Sequence, residues 1–310
     1  MTAGIVQTGS EERPGDATDE RGEGDAGYSQ QRWWQLLWSN TKARVGIILL
    51  LAFILIATFA PLIAPYEGTR SDFDALLPVS GDHLLGTTSQ GADIFSQLVY
   101  GSRVSLLVGL FGGLVSTAIA LVIGMWSGYK EGTVIDDILS FITNVAIVVP
   151  VLPLMIVLIA YSEVRGIPLI VFVIGITSWA GHARAKRSQI ITLRNRDFVT
   201  AAKFAGEGSG RIIFREIMPS MTSLVAAGFV GASTGAIGAE AGLSFLGLGD
   251  PNSISWGTML YQADSQGAVG QGLWAWVLAP GLILALLITS LTFINFGVDL
   301  LSNPHLREDS

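Results

Sequence analysis

The feature that most constrains this chain is a series of long stretches without a single charged side chain. Such runs lie between Arg44 and Glu67, Arg103 and Lys130, Asp137 and Glu163, and Glu216 and Glu240. A fifth, from Asp264 to Asp299, has room for one helix and a loop. A helix crosses the hydrocarbon core of a bilayer in about 20 residues, and inside lipid the backbone must satisfy its own polar groups. The shorter run "GIPLIVFVIGITSWAG", between Arg165 and His182, is extended by its flanks. The reading is an all-α polytopic membrane protein with six spans, near residues 44–64, 103–128, 137–160, 166–183, 220–241 and 274–300. Only 14% of the 310 residues are charged, against about a quarter in soluble domains.

The rest of the composition adds little. The net charge of −7 comes largely from residues 11–25, which hold seven acids against two arginines, so it points to no charged partner. Residues 1–30 are expected to form a disordered acidic tail. The first apolar run begins too late for a secretory leader. Trp33, Trp34 and Trp38 mark residues 31–43 as an interfacial amphipathic segment. The membrane unit then covers 44–302, and 303–310 form a C-terminal tail. With both termini cytoplasmic, inner segments hold 15 of the 18 basic residues and only Arg70, Arg103 and Arg165 lie outside. There is no cysteine, hence no thiolate metal site. His83, His182 and His305 form no zinc spacing or triad, and no GxxxxGK[ST] is present, so neither a membrane enzyme nor an ATP-binding chain is indicated. An ion channel or secondary transporter would want broken, charged helices in repeated halves, and no repeat is visible.

Packing signals follow. Gly112, Ser116, Ala120, Gly124 and Gly128 recur every fourth residue in the second span; Ser223, Ala227, Gly231, Gly235 and Ala239 do so in the fifth. Small residues on one face let helix backbones approach closely. Pro150 and Pro153 should kink or break the third span. Polar side chains within spans mark candidates for a translocation pathway: Asn144, Ser178, Ser233, Thr234 and Asn295. For the hydroxyls, a hydrogen bond to their own helix is the competing reading. Glu240 falls some 30 Å along the fifth span from Pro219, at its outer edge, and is read as a gate or interface residue. The outer loop 247–273, with Asp250, Asn252, Trp256 and Tyr261, suits either contact with an external protein or a simple covering role.

Between the fourth and fifth spans stands "RDFVTAAKFAGEGSGRIIFREIMPS". Phe198, Ala201, Ala202 and Ala205 follow one helix face, and Ile213, Phe214, Ile217 and Met218 follow another, with glycines between. Two short exposed amphipathic helices suit a groove in a partner protein or the membrane surface. The segment resembles the coupling loop (196–219) of ATP-binding-cassette importer permeases, with Thr200, Ala201, Ala202, Gly206, Glu216, Met218 and Pro219 at the motif positions. "AEAGLSFLGLGDPNSISWGTML", "HLLGTTSQGADIFSQLVYGSRVSL" and "FAPLIAPY" resemble the dipeptide/oligopeptide/nickel permease class in the same order. The resemblance spans about residues 31–302.

That resemblance implies a type I importer transmembrane domain in a prokaryotic cytoplasmic (inner) membrane. It implies a second homologous permease subunit, two cytoplasmic ATP-binding subunits carrying ATP and Mg²⁺, and an extracytoplasmic substrate-binding protein. The chain itself would hold no cofactor and catalyse nothing. Asp197, Thr200, Ala201, Ala202, Gly206, Glu216 and Pro219 would couple it to the ATPases, and Glu240, Asp250 and Trp256 would serve an external gate or binding-protein contact. Peptides are the implied cargo, with oligosaccharides or nickel as alternatives. Some positions depart from the class: Thr200 replaces an acid, with Asp197 one turn away; Thr88 and Ala92 replace an Asp and an Arg; and "VDLLSNPHLRE" is an atypical ending that resembles oligosaccharide members.

Overall fold

A computed structural model describes residues 38–302. The acidic tail, Trp33, Trp34, His305 and the 303–310 ending lie outside the described residues. Those described are helical apart from loops and one isolated bridge, Thr87 to Asp93.

Helix α1 (Thr41–Thr58) starts at Asn40, whose side chain accepts from the Ala43 amide, and continues after Phe59 as the short α2 (Ala60–Ile63). Helix α3 (Ile94–Tyr129) is the longest, at 36 residues. It begins nine residues before the expected 103, because Asp93 caps it by accepting from the Ser96 amide at 2.8 Å. Arg103 does not end the span. Its guanidinium reaches the Ala57 carbonyl at 2.7 Å, satisfying the orphan end of α1.

The third span is broken in two. Helices α4 (Val134–Val148) and α5 (Val151–Ala160) meet at 84° around Pro150. Proline lacks the donor and clashes with the preceding turn, which is the expected cause. The fourth span is also broken, without a proline. Helices α6 (Ile167–Thr177) and α7 (Ala180–Leu193) differ by 43° across Ser178 and Trp179. Helix α7 then runs ten residues past the expected boundary at 183. The coupling segment follows as α8 (Asp197–Phe204), α9 (Ser209–Arg211), a π-helical stretch at Ile212–Ile217 and α10 (Met218–Ser220). Helix α11 (Thr222–Leu243) ends in a second π turn, Ser244–Leu248; α12 (Trp256–Ser265) is short, and α13 (Trp274–Ser302) closes the bundle. Among the described residues four helices are long and apolar enough to span a membrane alone, and the number rises to as many as six if each bent pair counts as one span.

Helix α3 is the axis. It packs against α6 and α7 on one side and α11 on another, while α1 pairs with α13. The small-residue stripe makes this possible: Gly112, Ser116, Ala120, Gly124 and Gly128 are all buried. A Cβ at Gly124 would collide with the Ala183 carbonyl, and one at Gly128 would meet the Arg187 carbonyl at 2.7 Å. Gly109 and Gly113 face Ile237 and Ser233 of α11 in the same way. The pairing of α1 and α13 repeats the device, with Gly46 against Ser290, whose hydroxyl donates to the Gly46 carbonyl at 2.8 Å.

The expected stripe in the fifth span is not the packed one. Of Ser223, Ala227, Gly231, Gly235 and Ala239, only Ala227 is buried, and Gly235 is exposed with open space beyond it. The buried face is Ala232, Ser233, Ala236, Ile237, Glu240 and Ala241. Every-fourth spacing finds a small-residue face, but the neighbouring face meets α3.

Gly124→Ala should therefore destabilise the chain by about 1–3 kcal/mol, since backbone cannot yield to the added methyl. Gly235→Ala should stay within about 0.5 kcal/mol in the isolated chain. Unfolding of the purified chain in detergent checks both; equal losses would refute the packing.

Candidate coupling site and pathway residues

The coupling segment has a buried rear and an exposed front. Val199 of α8 and Ile212, Ile213 and Ile217 of the π stretch are buried with Met125 of α3, Ile190 of α7 and Met221. Ala202 packs against this cluster. On the front, Asp197, Thr200, Ala201, Ala205 and Gly206 are exposed, with Phe198 at 40% and Phe204 at 89%. The first expected stripe, Phe198, Ala201, Ala202 and Ala205, thus largely faces outward. The second is corrected: Ile213 and Ile217 are fully buried, leaving Phe214 and Met218 partly open. The second half of the motif anchors, and the first half presents.

Helix α8 ends at Gly206 for a stated reason. The Gly206 amide donates to the Lys203 carbonyl at 3.0 Å and the Glu207 amide to the Ala202 carbonyl at 3.1 Å. This is a Schellman closure, and it needs the left-handed φ of +79° that Gly206 adopts. The Thr200 hydroxyl turns to its own helix, 3.4 Å from the Arg196 carbonyl, while Asp197 stands exposed one turn earlier. Glu216 is half-buried and Pro219 exposed beside it. Lys203 lies over the Tyr129 ring, and Arg194 pairs with Glu131 at 2.6 Å, tying the segment to the end of α3.

The pathway candidates do not converge. Asn144 accepts from the Arg184 guanidinium at 2.7 Å and lines a cavity of about 270 Å³ with Ser140, Thr143 and Arg187. Ser178 sits at the break between α6 and α7. Thr234 donates to the Val230 carbonyl of its own helix, whereas the buried Ser233 hydroxyl has no partner and lies against Gly113. The Asn295 carbonyl oxygen, on α13, likewise has no partner among the described residues.

Sequence reasoning overlooked the cluster beside Asn144. Asp136 takes two 2.8 Å hydrogen bonds from Arg187 and further ones from Ser127 and Ser140. Asp136, Ser140, Thr143 and Asn144 recur at i, i+4, i+7 and i+8, a polar helix face that could have revealed it. Lys186 was also missed. It is 2% exposed, and its ammonium lies 3.5 Å from the Leu224 carbonyl in the space left by Gly228.

On the other end, the structure revises two of the external candidates. Glu240 and Trp256 are each 1% exposed, so neither offers a surface to another protein. Glu240 accepts from Ser244 at 2.7 Å. The Trp256 indole donates to the Leu98 carbonyl at 2.9 Å, stacks edge-on against Phe53 and fills the space that Gly101 leaves on α3. Asp250 is half-buried and its carboxylate accepts from the Asn252 amide; Asn252 and Tyr261 are exposed. The segment 244–257 is a folded cap. Gly247 takes φ +79°, Gly257 lies on the Ala241 carbonyl, and Ser255 and Thr258 form a capping box. The loop 64–93 is another cap: His83 meets Asp93 at 2.9 Å and its ring packs against Tyr66 and Phe73. Arg70 lies over Phe73, and its hydrogen bonds hold the Asp72 carboxyl below its ordinary range. Thr88 and Ala92, the two departures here, face each other: the Thr88 hydroxyl accepts from the Ala92 amide at 3.0 Å.

Two outcomes follow from this geometry. Gly206→Ala should cost about 1 kcal/mol and raise amide exchange across Asp197–Phe204 by roughly fivefold. Trp256→Ala should cost about 3–5 kcal/mol in detergent unfolding, against about 0.5 for Tyr261→Ala. Comparable losses at 256 and 261 would contradict the core placement.

Comparison with known proteins agrees with this architecture. Residues 120–307 match the family model of the binding-protein-dependent transport system inner membrane component, and residues 29–78 match the N-terminal transmembrane domain of oligopeptide transport permease C. A dipeptide transport system permease protein of Bacillus subtilis is 31% identical over 282 residues, covering 90% of this chain and 87% of that protein. An oligopeptide transport system permease protein of the same organism is 34% identical over 223 residues, 71% of this chain and 72% of its own. A di/tripeptide transport system permease protein of Pseudomonas aeruginosa is 31% identical over 286 residues, 89% and 92% of the two chains. The chain belongs to the family of binding-protein-dependent transport system inner membrane components.

Proposed function

We propose that this chain is a membrane subunit of an ATP-driven importer of di- and oligopeptides. It forms half of the translocation pathway, pairs with a second homologous permease, rests on two cytoplasmic ATPases that hold ATP and Mg²⁺, and receives cargo from an extracytoplasmic binding protein. The observation that carries this reading is the two-faced coupling segment. Its rear is continuous with α3, α7 and the start of α11, and its front exposes Phe198, Ala201 and Phe204. An apolar helix face of this kind fits a partner's groove. With Lys and Arg concentrated at 184–215, that front belongs in the cytoplasm.

A displacement of α8 by ATPase closure would be passed through Val199, Ile212 and Ile190 to α7 and α11, because a close-packed cluster transmits movement rather than absorbing it. The breaks at Pro150 and Ser178 give the third and fourth spans places to bend. Rigid-body shifts about such breaks would open the pathway to one side and then the other. Relatives named for dipeptides and oligopeptides favour peptide cargo over oligosaccharide or nickel, and the family favours an importer over a channel.

Co-purification tests the assembly: tagged chain, expressed with its neighbours, should bring down ATPase and a second permease. Ala201→Glu places a charge on the exposed front. It should reduce peptide uptake and cargo-stimulated ATP hydrolysis by roughly tenfold or more, while chain stability shifts by less than about 0.5 kcal/mol. Unchanged uptake in Ala201→Glu, or absence of any ATPase, would defeat the proposal.

A further inference from the structure

The cavity beside Asn144 has an unusual charge balance. Two arginines reach it, but they are not equivalent. Arg187 is neutralised by Asp136, which binds it through both carboxylate oxygens and is itself held by Ser127 and Ser140. Arg184 makes no ion pair among the described residues, and its hydrogen-bond partner is the neutral Asn144. A guanidinium only donates, so the amide presents its oxygen to Arg184. The Asn144 N–H₂ is then left to donate elsewhere. A fixed cation and a neutral donor therefore stand side by side in a space of about 270 Å³, large enough for a small anionic group.

The surroundings indicate water rather than lipid. On α7, Arg184, Ser188 and Gln189 are exposed, with Gly181 and Ala185 on the same face, and an acyl chain there would leave the three polar groups unsatisfied. The apolar residues of α4, including Phe141 and Val145, are exposed away from this polar side. Ser178, five residues before the cavity-lining Ala183, marks the break where α6 turns into α7.

We propose that Arg184, held in place by Asn144, receives the terminal carboxylate of a peptide in transit through the cytoplasmic half of the pathway. This rests on the peptide-importer reading and deepens it. Peptides of differing sequence share few fixed chemical groups, and the ionised C-terminal carboxylate is one. A planar guanidinium matches a carboxylate through two parallel hydrogen bonds, a geometry that a lysine cannot reproduce. One exposed contact of this type supplies a handle independent of side chains, yet weak enough to let the cargo leave. The internal Asp136 explains why only one of the two arginines is free to act.

The test uses the complete complex of both permeases and both ATPases in proteoliposomes. Phenylglyoxal modification of Arg184 is followed by mass spectrometry in the presence of a tripeptide, its C-terminal amide, or inorganic phosphate. The free acid should slow modification several-fold where the amide does not. Equal protection by acid and amide, protection by neither, or protection by phosphate alone would overturn the proposal; the last would make this a general anion site. In parallel, Arg184→Gln should lower tripeptide uptake by roughly tenfold, with Arg184→Lys retaining an intermediate rate. Full uptake in Arg184→Gln would also overturn it. A wild-type complex that imports no peptide would instead refute the importer reading, and the labelling still reads Arg184 without transport.

Discussion

Close backbone contact along α3 is the constraint on which the rest of the structure depends. In lipid, apolar side chains gain nothing by leaving one hydrocarbon environment for another, so helices associate through dispersion between well-fitted surfaces. Glycine at 124 and 128 brings α7 against α3, and glycine at 109 and 113 brings α11 against it from another side. Helix α7 leads directly into the coupling segment, and α11 leads directly out of it. The two ends of that segment are therefore positioned by one helix. Its rear residues complete the same packing through Met125.

The most distinctive stretches of the chain have separate physical duties. The coupling segment presents a surface, held by a glycine-closed helix end and backed by isoleucines. The stretch at the opposite end of the bundle, "LSFLGLGDPNSISWGTML", builds a cap whose glycines admit close contact and whose tryptophan is a core residue. Its recognisable pattern thus reflects packing more than contact with another protein. The loop before α3 behaves likewise, since Asp93 both caps that helix and holds His83.

Polar groups inside the bundle divide into satisfied and unsatisfied sets. Asp136 and Arg187 neutralise each other at the foot of α4, with two serines completing the carboxylate. Lys186 and Ser233 are buried with little or no compensation, both against glycines that leave them room. Buried polar groups without good partners are costly, and they concentrate here on the surfaces where α3, α7 and α11 meet. These are the helices that join the coupling segment to the bundle.

By itself the sequence determined the rough extent of the long apolar helices, because uncharged length is a direct requirement of the hydrocarbon; two of its six expected spans are bent pairs. It also determined the break at Pro150, from a missing donor, a break between the two coupling stripes, from the glycines there, and the buried stripe of α3, from helical periodicity. Only the tertiary structure decided which face of α11 packs, since several small-residue faces on that helix satisfy the same spacing. It alone buried Trp256 and Glu240, turned Ile213 and Ile217 inward while leaving Phe198 and Phe204 outward, and set Arg184 beside Asn144, 40 residues away in the chain. Short-range pattern reports what a helix offers on each face; which face is used depends on partners brought together from distant parts of the chain.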